Sequence, residues 1–158
     1  MKISIITCTF NRKEKLLRNI NSVKDQNFSD LEHYIIDDGS TDETLKELEK
    51  LKIKYLNIIP LKKNLGQPAA LFESDVFNSI TGDIYFLLDS DDFLIPGALK
   101  KIVDDSNYYF KSNNRLISIN YSYEDENTNI SGYSTFNSKD IFKDHYARNL
   151  TNKGFKDY

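Results

Sequence analysis

The chain has 158 residues, enough for one domain with a substantial core. A hydrophobic content of 39% and a charged content of 28% fit a soluble globular protein. The net charge of −3 gives no electrostatic reason to expect nucleic acid as a partner. In chain order, Ile3 to Phe10 reads as a first strand, rich in β-branched residues. It is too short to be a signal-peptide core or a membrane span, so a cytoplasmic location is the default expectation. Peripheral contact with the inner face of a membrane stays open. The single cysteine, Cys8, lies in this run, which rules out an intramolecular disulfide. It reads as a small buried hydrophobe rather than a reactive thiol. His33 and His145 are too few and too far apart in sequence to suggest zinc.

Asn11-Arg12-Lys13 ends the strand, and Leu16, Leu17, Ile20 and Val23 then recur at helical spacing from about Glu14 to Gln26. Glu32 to Ile36 is a second strand, ending at Asp37-Asp38-Gly39-Ser40-Thr41-Asp42. Ser40 and Glu43 stand at capping-box spacing before a helix carrying Leu45, Leu48 and Leu51. Tyr55 to Pro60 reads as a third strand. The loop Lys62 to Pro68 leads to a helix that should run to about Ile80 and bury some of Ala69, Ala70, Phe72, Val76, Phe77 and Ile80. Ile84-Tyr85-Phe86-Leu87-Leu88 is a continuous apolar run, the pattern of a strand buried on both faces. Pro96-Gly97 opens a further helix with Leu99, Ile102 and Val103 facing in. Strand and helix alternate four times, which predicts an α/β fold with a mostly parallel, Rossmann-like sheet and helices on both faces. Beyond about Asn107 the pattern weakens: Arg115 to Tyr123 alternates like a strand, Glu124 to Ser131 is polar, and Gly132 to Phe136 could be a short strand.

In a parallel sheet three polar loops fall on one edge, where ligands bind. They are Thr9-Phe10-Asn11-Arg12, Asp37 to Asp42, and Asp89-Ser90-Asp91-Asp92. Each alone is a turn with capping residues. Carboxylates as close as Asp89, Asp91 and Asp92 repel one another unless something positive joins them, and oxygen ligands suit Mg²⁺ or Mn²⁺.

Ile35-Ile36-Asp37-Asp38-Gly39-Ser40-Thr41-Asp42, followed by Gly82-Asp83-Ile84-Tyr85-Phe86-Leu87-Leu88-Asp89-Ser90-Asp91-Asp92, resembles the nucleotide-sugar half of family 2 glycosyltransferases, which have the GT-A fold. Ser4 to Arg12 is similar to the family's first strand and loop, and Asn64-Leu65-Gly66 to its loop before the third helix. The resemblance spans about residues 2 to 105. It implies a single GT-A-like domain over 1–158, with 1–105 as the nucleotide-sugar part and 106–158 as an incomplete or divergent acceptor-side part. It implies that Thr9, Phe10, Asn11, Asn64, Gly66 and Ser90 border a nucleotide-sugar, that Asp38 accepts a hydrogen bond from the base, commonly uracil, and that Asp89 approaches the ribose or a metal-bound water. Asp91 would bind Mn²⁺ or Mg²⁺ directly, with Asp89 or Asp92 as alternatives. The implied activity is metal-dependent, inverting transfer from a UDP-sugar to a hydroxyl acceptor (a glycan or lipid-linked saccharide) in bacterial surface polysaccharide or glycoconjugate synthesis.

Two departures qualify that implication. Many relatives have an Arg-Asn pair where this chain has Ala69-Ala70-Leu71-Phe72, so any positive charge for the diphosphate falls to Lys62, Lys63 or Arg12. No general base is identifiable, because Glu124, Asp125 and Glu126 come too early. A non-catalytic nucleotide-sugar-binding or partner module is therefore the alternative. A third reading is a phosphatase similar to haloacid dehalogenases, with Asp89 as nucleophile and Asp91 as acid/base. Its motif usually stands near the chain start, unlike this central one.

Overall fold

The computed structural model describes residues 1–110, 123–124 and 131–132. Two compact units divide the chain, Met1–Lys101 and Ile102–Tyr158. The first holds a four-stranded sheet of β1 (Ile3–Thr9), β2 (Leu31–Asp37), β3 (Leu56–Pro60) and β4 (Ile84–Leu87), in the order β3-β2-β1-β4. All three pairings are parallel, with Thr9 opposite Asp37, Asp37 opposite Pro60, and Ile6 opposite Leu87. The carboxyl ends of β1, β2 and β4 therefore lie along one edge, as the sequence predicts.

Consecutive β-branched residues send side chains to opposite faces of the sheet. Ile36 packs with Ile6, Ala70, Leu71 and Val76, while its neighbour Ile35 packs with Leu16, Ile20 and Leu48. Helices α1 (Lys13–Lys24) and α2 (Thr44–Lys50) thus cover one face, and α3 (Gln67–Glu73) and α4 (Val76–Ser79) the other. Helix α5 (Ala98–Phe110) follows β4 and runs across the boundary between the units. In the second unit Tyr123–Glu124 (β5) and Ser131–Gly132 (β6) pair antiparallel. Most of the strand expected over Arg115 to Tyr123, and all but the start of that over Gly132 to Phe136, lie outside the described residues. No helix among the described residues is long and apolar enough to cross a membrane.

Three local expectations are corrected. The helix expected from Pro68 to Ile80 is broken at Asp75, whose φ of +55° is left-handed and ends α3. Leu71 is buried, whereas Phe72 is 56% exposed and Phe77 also lies at the surface. Helix α2 is not capped by Ser40; the Asp42 carboxylate accepts the Thr44 N–H at 2.9 Å instead, because Ser40 is engaged elsewhere. Strand β4 is not buried on both faces. It ends the four-stranded sheet, and Tyr85 and Leu87 alternate outward at 54% and 44% exposure.

At the opposite end of the sheet Glu32 forms a staple. Its carboxylate accepts Ser4 Oγ and the Thr81 N–H at 2.6 Å, Thr81 Oγ1 at 2.9 Å, and pairs with Lys2 Nζ at 2.6 Å. Burial alone would raise its pKa, but these bonds prevail and hold it near 2. The entry to β4 is thereby tied to β1 and β2.

Candidate functional site

Strands β2 and β3 lie on one side of β1 and β4 on the other, so the connections diverge between β1 and β4. At such a switch point the loops leave a crevice beyond the carboxyl ends of the strands. A cleft of about 460 Å³ opens there, and four chain segments wall it. Cys8, Thr9, Phe10 and Arg12 come from the end of β1, Asp38, Asn64, Gly66 and Gln67 from the loops after β2 and β3, and Asp89, Ser90 and Asp91 from the loop after β4.

Each wall is held by bonds that can be named. Thr9 is buried, and its Oγ1 has no hydrogen-bond partner among the described residues. A buried hydroxyl left unpaired is costly unless a ligand or water completes it. Asn11 takes a left-handed φ of +52° and turns away from the cleft. Its Oδ1 accepts the N–H groups of Thr41 and Asp42 at 2.8 and 3.2 Å, and its own N–H donates to Ser40 Oγ at 2.9 Å. Asn11 therefore ties the β1 loop to the β2 loop, and does not line the site.

Asp38 is buried, and its two carboxylate oxygens accept the Leu65 and Gly66 N–H groups at 2.9 and 2.8 Å. Those bonds bring Asn64 and Gly66 to the cleft. Gly39 makes the approach sterically feasible: at φ +72°, a Cβ there would lie 2.5 Å from the Lys63 carbonyl carbon. Each Asp38 oxygen keeps a lone pair for a ligand.

The acidic loop is clamped by α1. Asn19, fully buried, donates from Nδ2 to the carbonyl oxygens of Asp89 and Asp92 at 3.0 Å each. Arg18 donates to the Asp91 carbonyl oxygen at 3.0 Å and lies 4.7 Å from the centre of the Phe93 ring. Ser22 Oγ accepts the Leu94 N–H at 2.9 Å, and Gln26 donates to the Ile95 carbonyl oxygen at 3.0 Å. Positions 18 or 19 and 22 lie on one face of α1, and Gln26 follows just past its end at Lys24, so this face and the turn after it track the loop.

Side chains at the mouth are paired across the cleft. Arg12 Nη1 meets Asp91 Oδ2 at 2.8 Å, Lys15 Nζ lies 3.8 Å from the same oxygen, and Gln67 donates to Asp89 Oδ1 at 3.0 Å. Desolvation first, then the Asp38 and Asp89 charges, push the Cys8 thiol up to about 12, so it stays protonated. Partial desolvation and the charges of Asp89 and Asp91 raise the Asp92 carboxyl above the usual range.

The residues suit a magnesium- or manganese-type ion. Such ions take one or two carboxylates and complete their shell with water and substrate phosphate, and Asp89 and Asp91 both face the cleft. Asp92 does not line it. No cluster of three or more acidic, histidine or cysteine side chains suited to a metal occurs among the described residues.

Of the residues read from sequence as binding a ligand, Thr9, Phe10, Asp38, Asn64, Gly66, Asp89, Ser90 and Asp91 converge on the cleft, and Asn11 does not. Lys62 and Lys63 line a separate depression with Leu61, Leu65 and Glu73. In the stretch Ala69–Phe72, which stands where many relatives have an Arg-Asn pair, Ala70 and Leu71 are buried against Ile6 and Ile36. Sequence reasoning missed Gln67 and the α1 clamp. The available signal for the latter was Asn19, a polar residue on the apolar face formed by Leu16, Ile20 and Val23.

Residues 4–156 match the profile of Glycosyl transferase family 2. The chain is 33% identical over 111 residues to the GalNAc(5)-diNAcBac-PP-undecaprenol beta-1,3-glucosyltransferase of Campylobacter jejuni, covering 67% of this chain and 35% of that protein. It is 37% identical over 133 residues to the poly(ribitol-phosphate) beta-N-acetylglucosaminyltransferase TarP of Staphylococcus aureus, covering 82% and 39%. Among solved structures, TarS 1–349 of S. aureus in complex with UDP-GlcNAc superposes with a TM-score of 0.59 at 30% identity, covering 70% of this chain and 32% of that one. The chain thus spans between a third and two-fifths of the length of these proteins. A parallel sheet with an acidic loop at its switch point and a sequence match along almost the whole chain lead to one assignment: this chain belongs to glycosyl transferase family 2.

Proposed function

We propose that the cleft binds a nucleotide-sugar, of the UDP class, and that the chain is the donor-binding part of an inverting glycosyltransferase acting on a hydroxyl acceptor. The observation that carries this is the content of the cleft at the switch point. An unpartnered Thr9 hydroxyl, the half-exposed Phe10 ring, and the Asp38, Asp89 and Asp91 carboxylates face one space. Asp38 suits an imide N–H donor such as that of uracil, and Phe10 offers the base an apolar face. Thr9 Oγ1 supplies a hydroxyl beside them.

Asp91, with Asp89, would hold Mn²⁺ or Mg²⁺, and an ion there supplies positive charge that stabilises the departing nucleoside diphosphate. In the transfer the acceptor oxygen forms a bond to the anomeric carbon, the bond from that carbon to the phosphate oxygen breaks, and the hydroxyl proton passes to a base. The described residues assign no such base. Asp125 and Glu126 lie outside them, in residues 106–158, the incomplete or divergent acceptor-side part on this reading. The acceptor is of the glycan or lipid-linked saccharide class used in bacterial surface polysaccharide synthesis. The names of the relatives support that reading. On that reading the protein works in the cytoplasm, with peripheral contact at the membrane's inner face as an option.

Isothermal titration of UDP with and without Mn²⁺ tests the proposal. UDP should bind more tightly with the ion present, and Asp91→Ala should abolish that enhancement. Binding that ignores both the ion and the substitution would refute it. Metal-dependent UDP binding without turnover of any UDP-sugar, across a panel of acceptors, would leave only a binding module.

A further inference from the structure

Arg12 is the only cation among the described residues that line the cleft, since the side chains of Lys62 and Lys63 belong to a different depression. Its guanidinium is spent on Asp91, the carboxylate assigned to the divalent ion, at 2.8 Å, closer than Lys15 Nζ, which lies 3.8 Å from the same oxygen and does not line the cleft. The pair is open to water, with Arg12 49% and Asp91 36% exposed. An exposed pair of this kind is weak and exchanges readily. The Arg12 backbone is fixed at the start of α1, where its carbonyl oxygen accepts the Leu16 N–H at 2.9 Å. Side-chain rotation alone can therefore move the guanidinium along the cleft wall. A planar guanidinium meets phosphate oxygens through two parallel N–H bonds, which a lysine cannot reproduce.

We propose that Arg12 is an exchangeable counter-ion. Without a divalent ion it neutralises Asp91; when an ion takes Asp91, Arg12 is released to bind the diphosphate of the donor. The idea rests on the nucleotide-sugar reading and adds an order to it. Ion binding exposes the guanidinium that the diphosphate needs, so the two ligands bind cooperatively, each favouring the other. Asp89 is outside the exchange, because its Oδ1 partner is the neutral Gln67 amide.

The exchange predicts effects of opposite sign from one substitution. In Arg12→Gln, Asp91 loses a competitor, so Mn²⁺ alone, followed by electron paramagnetic resonance of the free ion at low salt, should bind about two- to fivefold more tightly. At saturating Mn²⁺, the same variant should bind UDP about tenfold more weakly by titration calorimetry. Arg12→Lys, which keeps the charge without the fork, should restore Mn²⁺ affinity to the wild-type value but only part of the UDP affinity. Lys62→Gln should change neither. Mn²⁺ affinity that falls or stays level in Arg12→Gln overturns the exchange, as does unchanged UDP affinity. A wild-type protein that binds neither Mn²⁺ nor UDP overturns the nucleotide-sugar reading itself, which separates the two failures.

Discussion

Replacing Asn19 by alanine should loosen the acidic loop without removing any side chain that lines the cleft. Asn19 is fully buried, and its Nδ2 reaches the carbonyl oxygens of Asp89 and Asp92 at 3.0 Å each. A hydrogen bond of this kind contributes about 1 kcal/mol net, so the pair accounts for about 2 kcal/mol. Asn19 Oδ1 has no partner among the described residues, and alanine removes that unsatisfied acceptor as well, which offsets part of the loss. The net expectation is a destabilisation of about 1–2 kcal/mol. With a urea dependence of about 1–2 kcal/mol per molar, the unfolding midpoint should drop by about 1 M. Circular dichroism during urea titration reads this directly. Because the bonds fix the backbone on both sides of Asp91, Mn²⁺ affinity should fall too, by roughly threefold to tenfold. An unchanged midpoint would show that α1 does not hold the loop. A shifted midpoint with wild-type Mn²⁺ and UDP affinity would show that the clamp serves stability alone.

Further outcomes follow from single contacts. Gly39→Ala places a Cβ against the Lys63 backbone at a left-handed φ, so it should cost about 2–4 kcal/mol and weaken UDP binding through the displaced Asn64–Gly66 loop, measured by denaturation and calorimetry. Phe10→Ala should reduce UDP affinity by about tenfold in calorimetry, within the range of base–aromatic stacking, and leave Mn²⁺ affinity unchanged. His33 is fully buried, and burial lowers its pKa to about 3, so the unfolded chain takes up a proton below pH 6.5 that the native state refuses. Stability should therefore fall as pH drops from 6.5 towards 3, and the His33 ring should show no titration above pH 4 by nuclear magnetic resonance. Glu32, held near 2 against an ordinary 4.5, contributes stability that is full above pH 4.5 and is lost as pH falls towards 2. Glu32→Gln should remove that lower part of the pH dependence in thermal melts.

The strands, their parallel order and the three loops on one edge were legible because apolar runs and turn residues alternate so regularly. Ile35 and Ile36 illustrate it: two adjacent buried residues serve two helical layers, and only a strand covered on both faces asks for that. The Thr9, Asp38 and Asp89–Asp91 convergence followed from topology alone. What escaped were features decided by tertiary competition. Ser40 has the composition of a cap, yet Asn11 claims its hydroxyl, and Asp42 caps α2 in its place. Asn11 itself read as a ligand because it sits beside Thr9 and Phe10, but a left-handed backbone turns it to the Ser40–Asp42 loop. The helix break at Asp75 carries no proline or glycine to announce it. The clamp by Asn19, Ser22 and Gln26 joins residues some seventy positions apart through backbone carbonyl and N–H groups, so apart from Asn19 on an apolar face its partners leave no mark in side-chain pattern.

The account turns on one place for the ion and the nucleotide. Paramagnetic broadening of backbone amide resonances by Mn²⁺ in the presence of UDP locates that place without relying on turnover. The strongest broadening should fall on Ser90 and Asp91, extend to Thr9, Phe10 and Gly66, and vanish in Asp91→Ala. Broadening centred elsewhere, on the Glu43–Glu47 surface of α2 or on Asp83, or left intact by Asp91→Ala, would contradict it.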